Sequence, residues 1–358
     1  MPSHKRWVLL ANWLDHSMIR NAVAFDIAHA IDSAWMEHKT TATATEYIGD
    51  GIPWNVHGQH VELVVDGHHV GNYYLCEQIK IDGNRLDIKD PYDAEENPAA
   101  FADCGYLLEF DMKEDTDIKY TTSNGAWVKF KNDEPESSDV YKAVSQKIQR
   151  IEDNLDNGKY ADAYTELDIN SMVDQFLIWE LTMNREYGDP GSVYMFMDGD
   201  GKLSAGPVWD FDRGTFQNQE KATSLGNSTS YRVKPDNAWM FQRSQEDETY
   251  SYIWYRQLMG DPTFQAKVYE RWTIIYPYLQ TIPAKIQQYG GKLKASYEVN
   301  SAMWPTDRDS IHEYKSDFKD WSGDEEISAW EDVISNFETV YKERLAGMNG
   351  LIQALKNE

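Results

Sequence analysis

Cysteine is almost missing from this chain. Its two examples, Cys76 and Cys104, are too few for a disulfide scaffold and lack the paired spacing of a zinc site, so they read as structural thiols. Long apolar runs are absent as well. None reaches the roughly 20 residues a membrane helix needs, and Met1-Pro2-Ser3-His4-Lys5 carries no hydrophobic region of a targeting signal. Basic charge is scarce: 34 Lys and Arg stand against 60 Asp and Glu, a net charge of −26 over 358 residues. A field of that sign repels the phosphates of nucleic acids and of anionic lipid, which argues against both as partners. There is no internal repeat, no Gly-x-Ser-x-Gly elbow, no phosphate-binding loop of Walker type and no dinucleotide fingerprint, so the common motif-bearing hydrolase and nucleotide folds are not indicated.

Apolar and aromatic residues are plentiful instead. At 41% hydrophobic and 13% aromatic, with 13 Trp and 22 Tyr, the chain has the material for a packed core. Trp7-Val8-Leu9-Leu10-Ala11 reads as a short buried strand, and Asp15 or Ser17 caps the helix that follows. In that helix Met18, Ile19, Ala22, Val23, Phe25, Ile27 and Ile31 form a broad apolar side. Asp66-Gly67 between Val61–Val65 and Val70–Lys80 predicts a tight hairpin. Further strands are expected at Arg85–Ile88, Gly105–Asp111 and Ala126–Phe130. From Pro135 the spacing turns helical through Val140, Val144, Ile148 and Ile151, with a second helix over about 170–183. A second hairpin over 192–209 turns on Asp198-Gly199-Asp200-Gly201; 217–237 reads as a polar loop and 250–358 as mostly helix. The expected class is α+β: a strand-rich portion over 1–134 and a helical portion over 135–358, with the embedded hairpin 192–209 and a strand at 207–212.

The stretch with most chemistry is Gly206-Pro207-Val208-Trp209-Asp210-Phe211-Asp212. On an extended strand Asp210 and Asp212 share one face, about 7 Å apart, while Trp209 and Phe211 anchor the other, which makes a platform for a divalent cation. Asp198-Gly199-Asp200-Gly201 lacks the bidentate Glu of a calcium loop and reads as a turn. His57, His60, His68 and His69 have no zinc spacing and read as surface residues. Arg20, inside an apolar helix, needs a carboxylate partner, and Glu77 at the end of an aromatic strand is a candidate for it; the other reading of Glu77 is a surface acid. Lys80 and Lys129 read as solvated strand lysines within reach of phosphates, and Trp272 with Tyr276, at helical spacing, as core.

Several segments in one order carry a resemblance. Trp7-Val8-Leu9-Leu10-Ala11-Asn12 with Asp15-His16-Ser17-Met18-Ile19-Arg20-Asn21, then Gly71-Asn72-Tyr73-Tyr74-Leu75-Cys76-Glu77, Gly105-Tyr106-Leu107-Leu108-Glu109, Trp127-Val128-Lys129, Ser192-Val193-Tyr194-Met195 and the Trp-Asp-Phe-Asp segment together resemble the spore coat protein H (CotH) family of atypical kinase-like proteins. The match runs over about residues 5–215.

The resemblance implies a protein-kinase-like architecture in two parts, with ATP and Mg or Mn held between them. It makes Asp210 the metal acid, with Asp212 and Ser192 as further metal contacts. The family's catalytic Asn-x-Asp reads Asn184-Arg185-Glu186 here, so Glu186 is the expected base and Asp189 its alternative. Glu77, Arg20 and Lys129 are the expected nucleotide-side residues. The resemblance also implies a strand-rich segment upstream of Met1, a protein substrate, and a secreted or cell-surface location. Glu for Asp at 186 and Ser at 192, where the family can place Asn, leave open a non-catalytic relative. A competing expectation is a binding module for surface glycan or for a partner in a carbohydrate-degrading assembly. A glycoside hydrolase built on Glu186 and Asp210 is a third.

Overall fold

The computed structural model describes residues 3–13, 15, 17–41, 51–93, 95–131, 136, 138–184, 190–212, 215–216, 238–242, 253–304 and 329–356. The expected base Glu186, its alternative Asp189 and the polar loop 217–237 lie outside them.

Asp66-Gly67 performs its predicted turn, with φ of 51° and 80°, joining β2 (Gly58–Val65) to β3 (His68–Glu77). The first strand, β1 (Trp7–Leu10), completes a three-stranded sheet in the order β1-β3-β2. It is a half-exposed edge strand and not a buried one, because only β3 pairs with it and Leu9 faces solvent. Helix α1 (Arg20–Thr41) begins where Asp15 and Ser17 cap it, and it buries Ile19, Ala22, Val23, Phe25, Ile27 and Ile31.

A second sheet runs β5-β6-β4-β7-β8, from β4 (Gly105–Phe110), β5 (Lys119–Thr121), β6 (Trp127–Phe130), β7 (Val193–Asp198) and β8 (Ser204–Ala205). The hairpin β7–β8 thus completes a sheet begun by strands that precede residue 134. Arg85–Ile88 forms no strand: its one ladder contact is an isolated bridge from Leu86 to Ile81.

The helical layer holds α2 (Asp139–Asp156), α3 (Tyr160–Glu166), α4 (Ile169–Thr182), α5 (Tyr255–Leu258), α6 (Pro262–Leu279), α7 (Ile282–Met303) and α8 (Trp330–Leu355). Every residue of α4 is buried, since α1, α6, α8 and β8 all pack on it. Trp272 is buried against Tyr276, ring centroids 5.5 Å apart, so this pair is core. Among the described residues no helix is long and apolar enough to cross a membrane. Cys76 and Cys104 are buried free thiols.

Candidate functional site

The loop that leaves β8 begins at Gly206, whose φ of 94° and closeness to Ile52 suit only glycine: an added Cβ would lie 2.9 Å from that side chain. Residues 206–212 form no strand. Asp210 instead adopts a left-handed conformation with φ of 63°, a strained choice that Asp tolerates better than most residues and that clusters at functional sites. Strand alternation is therefore not what aligns the acids. Even so, Trp209 and Phe211 both pack on Phe25, at 6.0 and 6.1 Å between centroids, while Asp210 and Asp212 stay only half-buried.

Two asparagines hold this loop. The Phe211 amide, which lies between the two acids, donates to Asn21 Oδ1 at 2.8 Å, and Asn21 Nδ2 donates to Asn12 Oδ1 at 2.9 Å. Asn12 Nδ2 in turn donates to the Met18 carbonyl at 3.1 Å. All of it is buried. Next to it, Asp15 accepts from the amides of Ser17 and Arg20 at 2.8 and 2.7 Å, and its Oδ1 lies 3.6 Å from Arg20 Nη1.

These groups meet electrostatically at Asp212. Burial pushes its carboxyl up to about 7, helped by the charges of Asp210 and Asp15 and by a hydrogen bond with Asp210, against an opposing pull from Arg20. Near neutral pH Asp212 is thus partly protonated, and a divalent cation can replace that proton. Tyr194, on β7 opposite Glu109 of β4, lies within electrostatic reach of Asp210. Burial, the charge of Glu109 and a hydrogen bond to it, and the charges of Asp210 and Asp111 all raise its phenol.

The other expected site residues fall elsewhere. Glu77 does not pair with Arg20, nor does it lie on the surface: it is fully buried, 3.0 Å from Arg85 Nη1 and 3.1 Å from His57 Nδ1. His57 stacks on His29 at 4.1 Å, and His29 lies nine residues beyond Arg20 on α1, about 13 Å along the axis. His57 remains exposed, as expected of a surface residue, whereas His60 is half-buried between Tyr74 and Tyr289. Lys129 is not solvated. Its ammonium is wholly buried between Asp111 at 3.2 Å, Asp115 at 2.5 Å and the Lys113 carbonyl at 2.6 Å. Ser192 is half-buried ahead of β7 with φ of 59°, and among the described residues no hydrogen bond joins it to Asp210 or Asp212.

The end of α4 is tied to the chain that follows Asp212. Helix α4 ends at left-handed Met183, and the buried Asn184 amide donates to the Trp179 carbonyl at 2.9 Å. The Phe216 amide donates to the Thr182 carbonyl at 2.8 Å. The chain after Asp212 therefore returns to the end of α4. A family model described as CotH kinase protein matches residues 1–348. The chain belongs to that family. No curated protein compared with it matches.

For a CotH member the donor chemistry of this cluster fits Mg or Mn. Both acids present hard oxygens and are only half-buried, and Asp212 carries a proton that a cation can displace. Among the described residues no group of three or more His, Cys, Asp or Glu could hold a metal ion. Magnesium in phosphoryl-transfer sites asks for less, one or two carboxylates with phosphates and water.

Sequence reasoning missed Asn12 and Asn21 as supports of the acid loop and Tyr194 as a neighbour of Asp210. For Asn21 a signal existed: an amide one residue from Arg20 on an otherwise apolar helix. Asn21→Ala leaves the Phe211 amide and the Asn12 side chain without this partner; the expected cost is about 1–3 kcal/mol of stability. Weaker Mn²⁺ binding should accompany it. Thermal melts and a Mn²⁺ titration of the same protein check both, and full metal affinity would remove Asn21 from the site.

Proposed function

We propose that this CotH family member performs ATP- and metal-dependent phosphoryl transfer to a protein hydroxyl, in a kinase-like arrangement with the nucleotide between the strand-rich and helical portions. The observation that supports it best is the Asp210–Asp212 pair fixed through the Phe211 amide to Asn21. A divalent cation bound there would supply positive charge to offset what develops during transfer. In a chain of net charge −26, phosphates approach these acids only through such a cation. Asp210 and Asp212 hold it, Arg20 offsets their repulsion, and Asn21 fixes the backbone between them. Glu186 or Asp189 orients the acceptor hydroxyl, and Ser192 adds a second metal contact. We propose Lys129 and Glu77 as supports of the nucleotide side, through the Asp111 loop and the Arg85 turn they hold. The family also favours a secreted or surface location.

The test is calorimetric and thermal. The protein should melt at higher temperature with ATP plus Mn²⁺ or Mg²⁺ than with either alone, and should transfer the γ-phosphoryl group to itself or to an added protein. No shift in any of these mixtures would sink the proposal.

The titration of Asp212 gives a second expectation. A carboxyl raised in the folded state stabilises it fully below the unfolded value near 3.8, and that contribution is lost as pH rises through about 7. Metal binding must expel the same proton. Mn²⁺ affinity should therefore fall roughly tenfold per pH unit below 7 and level off above it. A flat profile from pH 5.5 to 8 in isothermal titration would contradict this.

One observation favours a binding function as well. A groove of about 560 Å³, whose lining takes in neither acid, is formed by Tyr120, Tyr141, Lys142, Ser145, Gln146, Gln149 and Arg150. Hydrogen bonds from Tyr120 to Gln149 and from Tyr141 to the Lys119 carbonyl fix both phenols. Rigid rings beside amides suit a sugar. Titration with soluble β-linked oligosaccharides, compared in Tyr120→Ala, decides between glycan binding and a groove of packing origin.

A further inference from the structure

The groove beside α2 is built on two tyrosines whose polar ends are already committed. Tyr120 Oη donates to Gln149 Oε1 at 2.7 Å, and Tyr141 Oη donates to the Lys119 carbonyl at 3.0 Å. Gln149 in turn accepts from the Ser123 amide at 3.0 Å and donates from Nε2 to Asp153 at 2.7 Å, while Tyr141 packs on Phe130 with ring centroids 4.9 Å apart. With both hydroxyls engaged, what these tyrosines offer a ligand is ring surface that is already fixed. Polar capacity comes from α2. Ser145 lines the groove and is 5% exposed; its Oγ sits beside the Tyr141 phenol, whose own proton goes to Lys119, and has no hydrogen-bond partner among the described residues. A buried hydroxyl left in that state is uncommon in a folded protein.

The charges on the lining are both positive. Lys142 and Arg150 follow one another along α2, about 12 Å apart on its axis, and no Asp or Glu is among the described lining residues, although the whole chain carries a net charge of −26. Neighbouring acids engage these cations only in part. Lys142 Nζ lies 3.1 Å from the fully exposed Asp139, and Glu166 takes Arg150 through Nε and Nη2 but not Nη1. Exposed pairs of this kind are weak and yield to a better-placed anion. Resting on the glycan reading of this groove, we propose that it binds an acidic oligosaccharide of the uronic-acid class. Sugar rings lie against Tyr120 and Tyr141, Ser145 and Gln146 serve ring hydroxyls, and the carboxylates meet Lys142 and Arg150. The guanidinium fork suits a carboxylate, and rings fixed in advance lose little freedom when the ligand arrives.

The experiment titrates the full chain with a β-linked mannuronate tetramer and with the matching mannose tetramer by isothermal calorimetry, in the original, Lys142→Gln, Arg150→Gln and doubly substituted forms, all checked by thermal melt. At low salt the uronate should bind the original protein roughly tenfold more tightly than the neutral sugar, and the preference should vanish near 1 M salt, where charges are screened within about 3 Å. Each single substitution should give back about threefold of it, the scale of one exposed ion pair, and the double one all of it. Affinity for the neutral tetramer should stay the same in every form, which also shows that the variants are folded. Lys142→Gln, at an exposed position, carries the test alone if loss of the Arg150–Glu166 pair unfolds the protein. Equal affinities of the original protein for the two tetramers would overturn the acidic preference and spare the glycan reading. Uronate binding that survives the double substitution would overturn it as well, since the sugar would then sit elsewhere. If the original protein binds neither tetramer, the glycan reading falls, and the acidic preference with it.

Discussion

Asp210→Asn should abolish the metal-dependent stabilisation by ATP and reduce phosphoryl transfer by on the order of 10³-fold, the scale on which a single electrostatic contact to the transition state acts. The amide is the same size as the carboxylate and tolerates the left-handed backbone at φ 63°, so the variant tests charge and not shape. Alanine there adds backbone strain of about 1–2 kcal/mol and confuses the two. Without ligand, Asp210→Asn should melt no lower than the original protein, because it removes a like charge that acts on Asp212. With ATP and Mn²⁺ at about 100 times the dissociation constant, the original protein gains about 2.7 kcal/mol. The variant should gain nothing. If it kept the full shift, Asp210 would not be the metal acid, and the candidate site would have to be sought among the other carboxylates near Tyr194.

The second large effect concerns Glu180 and Arg344, both fully buried. Arg344 Nη2 donates to Glu180 Oε2 at 2.8 Å, while Nε and Nη1 donate to the carbonyls of Glu180 and Ala238, each at 2.8 Å. The same carboxylate accepts from the Met240 and Phe241 amides at 2.7 and 3.0 Å. This one pair therefore joins α4, α8 and the 238–241 segment. Arg344→Met leaves a buried carboxylate and two carbonyls without these donors, and breaking a buried pair in this way costs about 3–5 kcal/mol. A fall in melting temperature of about 4–7 °C corresponds to that loss. Glu180→Gln should cost less than Arg344→Met, since one oxygen still accepts from the backbone. The double variant should fall well short of the sum of the two single losses. A loss below about 1 kcal/mol in chemical denaturation of Arg344→Met would show that the pair is dispensable.

Patterned features were legible from the residues alone. The two hairpin turns, the cap at Asp15 and Ser17 and the buried sides of α1, α2 and α4 follow local rules, and the structure keeps them. Pairings across the fold were not. Glu77 finds Arg85 through a turn that no periodicity announces, and Lys129 finds Asp111 and Asp115 in a loop after β4. The nearness of Asp210 to Asp212 was anticipated for the wrong reason. Strand alternation suggested it, but a left-handed residue and an asparagine acceptor produce it.

The sharing of one sheet between early and late strands has a consequence during synthesis. β4 has β6 on one side, but its other partner is β7, whose Val193 lies opposite Phe110. While the ribosome is still extending the chain toward β7, β4 has one side open, the kind of edge that recruits strands from other molecules. Arg344 arrives later still, 164 positions after the glutamate it neutralises. A nascent chain of this protein thus has reason to be sheltered by a chaperone until nearly its last helix has been made.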